Sequence, residues 1–194
     1  MNAFKPKFKL GLIVGSNRRD SINRKLAQAL AKLGGDAFAA TVIRIDDLPL
    51  YNQDLEAALP EQVVRFKSHI ADADALLFVT PEHSRSIPAV LKSAIDWGAR
   101  PWGKNSWTGK PAAVTGTSQG AVGTAVAQQH LRAILGDIGV LVMGGEAYIT
   151  FKPELVDAHD NVTDESVRKF LKAFIDQLAA LTGKLAPIAA QRAA

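Results

Sequence analysis

Three short stretches carry the residue types that could do chemistry, and each falls where an apolar run gives way to a helical period. The first, Gly15-Ser16-Asn17-Arg18-Arg19-Asp20-Ser21-Ile22-Asn23, gathers two hydroxyls, two carboxamides and guanidinium groups ahead of a helix that starts near Ser21. Unbonded N–H groups at a helix N-terminus, joined by charge-assisted donors, suit a terminal phosphate monoester dianion. A dinucleotide fingerprint needs three spaced glycines and a Walker loop needs Gly-Lys-Ser/Thr, whereas only Gly15 is present, so both of those readings weaken. An isolated Ser-x-Asn more often just caps a helix and makes a turn. The clustering here shifts the balance toward binding.

The second stretch, Thr115-Gly116-Thr117-Ser118-Gln119-Gly120, matches Gly-x-Ser-x-Gly and lies between a strand and a helix. That is the pattern of a hydrolase nucleophile elbow. A serine hydrolase built on Ser118 also needs an acid and a histidine later in the chain, and only Asp157 and His159 offer themselves, because His130 falls inside a helix. The same turn could instead let the backbone approach a ligand closely, with Ser118 as a donor. The third stretch is Thr80-Pro81-Glu82-His83-Ser84-Arg85-Ser86-Ile87-Pro88, a loop stiffened by proline at both ends.

The elements that must hold these loops alternate between short apolar runs and longer helical periods, as in βαβ units around a parallel sheet. Strands are expected at Leu10 to Val14, Thr41 to Ile45, Ala75 to Thr80, Pro111 to Thr115 and Val140 to Met143. The third is apolar on both faces, as for a central strand, and the second alternates around Arg44, as for an edge. Helix one carries Ile22, Leu26, Leu30 and Leu33 and stops at Gly34. Helix two follows Pro60 with Val63, Phe66 and Ile70, and helix three follows Pro88 with Val90, Leu91, Ala94, Ile95 and Trp97. Helix four is expected from about Ala121 to Leu135. A last helix has Thr163 as its expected N-cap and Val167, Phe170, Leu171, Phe174, Ile175 and Leu178 on its buried side.

Composition narrows the class further. The chain has 194 residues, 47% of them hydrophobic, enough for one substantial core, so a single domain over 1–194 is expected, with a short disordered tail from about residue 185. No apolar run approaches the ~20 residues of a membrane span and no signal-peptide pattern opens the chain, so no membrane role and a cytoplasmic location are expected. There is no cysteine, which removes disulfides, thiolate metal sites and a cysteine nucleophile. His69 and His130 have no second ligand spaced to join them, so no metal site is expected. The formal charge of +4 is mild, partly carried near the ends by Lys5, Lys7, Lys9, Lys184 and Arg192, and it lacks the clustered basic pattern of a nucleic-acid binder.

The third loop, continued by Ala89-Val90-Leu91-Lys92-Ser93-Ala94-Ile95-Asp96-Trp97, resembles the signature of the NADPH-dependent FMN reductase family, which usually reads Pro-Glu-Tyr-Asn-x-Ser-Ile/Leu-Pro-Gly and then Leu-Lys-Asn-Ala-Ile-Asp-Trp. The first loop is similar to that family's phosphate loop, and the order of elements matches over roughly residues 8 to 180. His83 and Ser84 stand where the family commonly has Tyr and Asn, and Ala89 stands where it has Gly. The resemblance implies a flavodoxin-like three-layer α/β sandwich, with a five-stranded parallel sheet in the order 2-1-3-4-5 and helices on both faces. It implies non-covalent FMN with NADPH or NADH as donor, and acceptors such as quinones, flavins, azo compounds or chromate, served by a ping-pong mechanism. Ser16, Arg18, Ser21, Ile22 and Asn23 would surround the FMN phosphate. Pro81, Glu82, His83, Ser84 and Arg85 would line the isoalloxazine, with Ser118 nearby. No catalytic side chain is required, because the flavin carries the hydride. Arg85, and more weakly Arg100, are candidates to meet substrate. Family members often assemble, so a homodimer or homotetramer is expected. An FMN-binding electron carrier or regulator without nicotinamide turnover is the alternative.

Overall fold

The computed structural model describes residues 7–192, so Lys5 lies outside the described residues. Twelve elements follow one another: β1 (Phe8–Val14), α1 (Ile22–Leu33), β2 (Phe38–Val42), a 3-10 turn (Gln53–Leu55), α2 (Glu61–Asp72), β3 (Ala75–Val79), α3 (Ala89–Ala99), β4 (Pro111–Ser118), α4 (Ala125–Asp137), β5 (Leu141–Val142), β6 (Tyr148–Thr150) and α5 (Glu165–Arg192). The sheet is parallel in the order β2-β1-β3-β4-β5, with β6 also paired to β4. It is the expected 2-1-3-4-5 sheet with a sixth strand added.

Two apolar layers sandwich it. On one face Leu26 and Leu30 of α1 and Leu171, Ile175 and Leu178 of α5 meet Leu10, Leu12 and Leu77 of the sheet. On the other, Phe66 and Ile70 of α2, Leu91 and Trp97 of α3 and Leu131 of α4 meet Ile13, Leu76 and Phe78. Every residue of β3 is buried, as a strand covered on both faces must be. Proline opens α2 and α3 as expected, since Pro60 and Pro88 each hold the N-cap position.

Several expectations are corrected. The second strand lies three residues earlier than expected, at Phe38–Val42. Its alternation nevertheless continues beyond it, because Ile43 N donates to Leu12 O at 2.9 Å and Ile43 and Ile45 stay buried. The fifth strand is split: β5 keeps only two residues beside the start of β4, the chain then bulges at Met143 to Ala147, and β6 pairs with Gly116 to Ser118. Arg132 fills the bulge by donating to the carbonyls of Met143 (2.8 Å), Val114 (3.3 Å) and Gly145 (2.6 Å). α4 begins at Ala125, because Gly120 to Thr124 is a turn with Gly123 at φ +62°. Asp164, not Thr163, caps α5, accepting from the amides of Ser166 and Val167, while Thr163 ties back to Glu154 O. Phe170 is 46% exposed, off the buried stripe. Where a tail is expected from about residue 185, α5 runs on to Arg192.

One cation fixes the far end of α3. Lys67 Nζ, on α2, donates to the carbonyls of Gly98 (3.0 Å), Arg100 (2.7 Å) and Lys104 (2.8 Å), with Trp97 O at 3.4 Å. Burial, and then the neighbouring Lys104, push this ammonium below its ordinary pKa.

Candidate active site

The C-terminal ends of β1, β3 and β4 open into a cavity of about 620 Å³, at the point where the strand order reverses from β1 to β3. Its volume lies within the ~300–1,000 Å³ usual for small-molecule and cofactor sites. All three loops singled out in the sequence meet there: Ser16, Arg18, Ser21, Ile22 and Asn23 from the first, Ser118 from the second, and Pro81, Glu82 and His83 from the third, the loop expected beside the isoalloxazine ring and called the ring loop below.

On the phosphate side, Gly15 N is tied to Val79 O at 2.9 Å, which anchors the loop to β3. Beyond it the donors stay open. Ser16 Oγ accepts from Arg18 N at 3.4 Å and Ser21 Oγ from Arg24 N at 3.3 Å, which leaves both hydroxyl protons to donate, and the Arg18 guanidinium has no partner among the described residues. The first amides of α1 have no carbonyl of their own helix to bond. Asn23 differs from expectation. Its Oδ1 accepts from Thr117 N at 2.9 Å and its Nδ2 donates to Thr117 O at 3.0 Å, so its buried carboxamide straps α1 to β4. It walls the cavity and positions the second loop, the one that carries Ser118.

The ring side is built differently. Glu82 Oε2 accepts from Ala127 N at 3.1 Å and so caps α4, whose own N-cap residue Thr124 makes no side-chain capping bond. Its other oxygen accepts from Arg85 at 3.0 Å. His83 and Ser86 exchange backbone hydrogen bonds of 2.9 Å each, closing a two-residue turn in which Ser84 and Arg85 have φ of +48° and +62°. That conformation favours Asn-Gly, and side-chain residues there cost of order 1 kcal/mol each. His130 Nδ1 lies 3.2 Å from Ser86 Oγ and braces the turn from α4. Ser84 and Arg85 therefore leave the main cavity and line an adjoining one of about 370 Å³, with Glu82 and the Gly120 to Gly123 turn.

Arg100 is elsewhere. It lines neither cavity and is bound to Glu56 at 2.7 and 3.3 Å, with Tyr51 Oη donating to the same carboxylate at 2.7 Å. Glu56 is held below the ordinary carboxylate range by Arg100 first and Tyr51 second. This network fastens the 46–59 loop to the end of α3. The hydrolase residues do not meet either. Ser118 Oγ donates to Gly123 O at 2.7 Å, while His159 O accepts from Lys32, at the end of α1 remote from the cavity. Asp157 is turned onto its own loop, accepting from His159 N and Asn161. Asn17, one of the two carboxamides counted in the first loop, also lines the cavity, as do Thr117, Gln119 and Val90, which sequence reasoning did not single out although they lie near the loop glycines and prolines.

The sequence model of the NADPH-dependent FMN reductase family matches residues 8–154, three quarters of the chain. The chain belongs to this family. It is 49% identical over 173 residues to a 2-hydroxy-1,4-benzoquinone reductase of Burkholderia sp, covering 89% of this chain and 94% of that protein. It is 45% identical to a quinone reductase of Pseudomonas putida over 89% of this chain and 93% of that one. The solved flavoenzyme NAD(P)H:(acceptor) oxidoreductase FerB of Paracoccus denitrificans superposes with a TM-score of 0.89 at 46% identity, over 91% and 98% of the two chains. A WrbA-like flavodoxin from Agrobacterium tumefaciens, 15% identical with a TM-score of 0.58, shares the flavodoxin-like fold. As a family member the chain is an oxidoreductase that uses FMN and NAD(P)H.

The residues present fit FMN. Open hydroxyl, guanidinium and helix-terminal donors stand at the phosphate end, and a backbone-lined slot between the Pro81 to His83 and Thr117 to Gln119 segments stands at the ring end. Gly116 lets the end of β4 pack directly on Thr80 and Thr124: a Cβ there would lie 2.0 Å from Thr80 O and 2.4 Å from Thr124 Oγ1.

Proposed function

We propose that this protein is an FMN-dependent NAD(P)H:quinone reductase, in which donor and acceptor use one cavity in turn. The observation that carries the reading is the meeting of an open phosphate cradle and a prebuilt ring loop in a single cavity at the β1/β3 switch point. Bound FMN would supply the hydride-accepting and hydride-donating centre. Ser16, Ser21, Arg18 and the first amides of α1 bind its phosphate; Pro81, Glu82 and His83, with Ser118 opposite, line its ring. The protein's contribution is binding, orientation and electrostatics, with no side-chain acid or base required.

Quinones head the list of acceptors because the most similar relatives quoted above carry quinone reductase names. Flavins, azo compounds and chromate need only the same access. Arg85, 71% exposed at its side chain on the rim, is the residue that meets an anionic donor or acceptor. The whole chain reads as one FMN-binding domain. Among the described residues no helix is long and apolar enough to cross a membrane. A cytoplasmic location belongs to the same reading. Assembly into a homodimer or homotetramer is part of this reading, supported by Leu50 and Trp102, 76% and 89% exposed on loops joined by the Arg100 and Glu56 network. Light scattering on a sizing column measures that mass directly.

The test is an anaerobic visible spectrum of the FMN-loaded protein, before and after NADPH and again after a quinone. The expected result is flavin absorbance that bleaches with NADPH and returns with quinone. Bound flavin that NADPH leaves oxidised makes the protein a carrier, and failure to bind FMN overturns the reading altogether.

A further inference from the structure

A second cavity of about 400 Å³ lies across Ser16 from the FMN cavity, over the C-terminal ends of β1 and β2. The residues that line it play no part in the flavin site, Ser16 excepted. Its floor is apolar: Ile43 and Ile45 are buried, and Val42 presents a large apolar side chain that is 49% exposed. Its rim is cationic. Arg44 chelates Asp46 through Nε at 3.0 Å and Nη2 at 3.2 Å, and the Arg24 guanidinium makes no hydrogen bond or ion pair among the described residues. Arg44 first, and Arg24 more remotely, hold the Asp46 carboxyl below its ordinary range, so both guanidiniums face the one acid. Arg44 also lies 3.7 Å from Asp47, which is itself bound by Arg65 at 2.5 Å, so three guanidiniums stand against two carboxylates and the rim is left net positive by one charge.

A flat apolar floor beneath paired guanidiniums, at the mouth of two parallel strands, is the chemistry of a purine nucleoside carrying a phosphate. We propose that this cavity receives the adenosine 2′-phosphate end of NADPH, with Arg24 and Arg44 on the phosphate. The proposal rests on the reductase reading above. Reach supports it. The two cavities share Ser16 and lie over neighbouring strand pairs, β2/β1 and β1/β3, and strands stand ~4.8 Å apart, so the midlines of those pairs are about one strand spacing apart, well within the span of a dinucleotide. The exposed stretch from Asn17 to Asp20 in the same β1–α1 loop adds a further guanidinium, Arg19.

The chemistry also sets the selectivity. An acid at the end of a second strand commonly accepts hydrogen bonds from the ribose hydroxyls of an unphosphorylated dinucleotide. Here both oxygens of Asp46 already accept from Arg44. NADH therefore finds its usual partner occupied and two cations without a phosphate to meet, and NADPH is the favoured donor.

The test uses the FMN-saturated protein and calorimetric titration with adenosine 2′,5′-bisphosphate against 5′-AMP. The bisphosphate is expected to bind at least about tenfold tighter, the effect of one or more charge-assisted bonds. Arg24→Gln and Arg44→Gln, both at exposed positions, should each weaken the bisphosphate about tenfold and raise the KM for NADPH but not for NADH, with FMN affinity unchanged. Equal binding of the two nucleotides, displacement of FMN by the bisphosphate, or discrimination that survives both substitutions overturns the site. Bleaching of FMN by NADPH is recorded alongside. Its loss overturns the reductase reading, whereas intact bleaching without discrimination overturns only this inference.

Discussion

The two loops that face each other across the cavity are made on opposite principles. The ring loop is finished before any ligand arrives: Glu82 is tied to α4 and to Arg85, His83 and Ser86 are paired both ways, and Thr80 Oγ1 donates to Pro81 O at 2.8 Å. Between Gly15 and Asp20 the phosphate loop has one anchor, Gly15 N to Val79 O, and beyond it, among the described residues, only a long contact between Arg18 N and Ser16 Oγ. One loop draws its order from the protein. On the proposed reading the other is completed by the FMN phosphate, and the difference teaches where a substitution reads as lost stability and where as lost affinity.

The largest expected effect comes from breaking the ring side at its base. Gly116→Val puts side-chain atoms where even a Cβ lies 2.0 Å from Thr80 O, so the ends of β3 and β4 must part. A loss of roughly 3 kcal/mol or more is expected in thermal or urea unfolding of the apoprotein, and FMN binding should go with it. Next, Arg18→Ala should weaken FMN by roughly 10- to 100-fold, from a charge-assisted bond of about 1.5–3 kcal/mol, while the apoprotein melts as before. A matching drop in apoprotein stability would erase the contrast between the loops. Glu82→Ala should show the reverse weighting: about 1–2 kcal/mol of apoprotein stability lost with the α4 cap, and partial recovery in Glu82→Gln, which can still accept from Ala127 N.

Ser118→Ala removes a hydroxyl that donates to Gly123 O, so it should cost about 1 kcal/mol of stability and leave most quinone reductase activity, as steady-state assays will show. The smallest effect lies far from the cavity. The bonds from the Asn161 side chain and backbone hold the Asp157 carboxyl down to about 2, against an ordinary value of 3.8. A carboxyl lowered on folding stabilises the protein above its unfolded pKa and loses that contribution as pH falls through the folded value. Asp157→Ala should therefore reduce stability at neutral pH and flatten the fall in melting temperature between about pH 4 and 2.

What the sequence made legible follows from how local each feature is. Four strands and the starts of α1, α2 and α3 were readable because apolar runs, Ser21, Pro60 and Pro88 act on their own neighbourhoods. That the first loop would face a ligand cavity was readable from its residue types, and that the Pro81 loop would join it, from a resemblance. The strap from Asn23 was not legible because its partner Thr117 lies 94 positions away, nor was the ion pair of Arg100, because Glu56 lies 44 away. β6 was missed because its three residues pair with β4 only after Arg132 has gathered the bulge before it. Nothing local marks Phe170 as exposed, since its spacing matches that of its buried neighbours.

Lys67 carries a consequence for following this molecule in motion. An amine whose protons are shared among the carbonyls that end α3 offers an acylating reagent no free lone pair while those bonds hold. Its labelling rate becomes a clock for how often that corner of the fold opens, separable from global unfolding by its dependence on denaturant. The loop that carries Glu56 is fastened to the same corner through Arg100, so a single lysine, read by mass spectrometry, times the release of both segments.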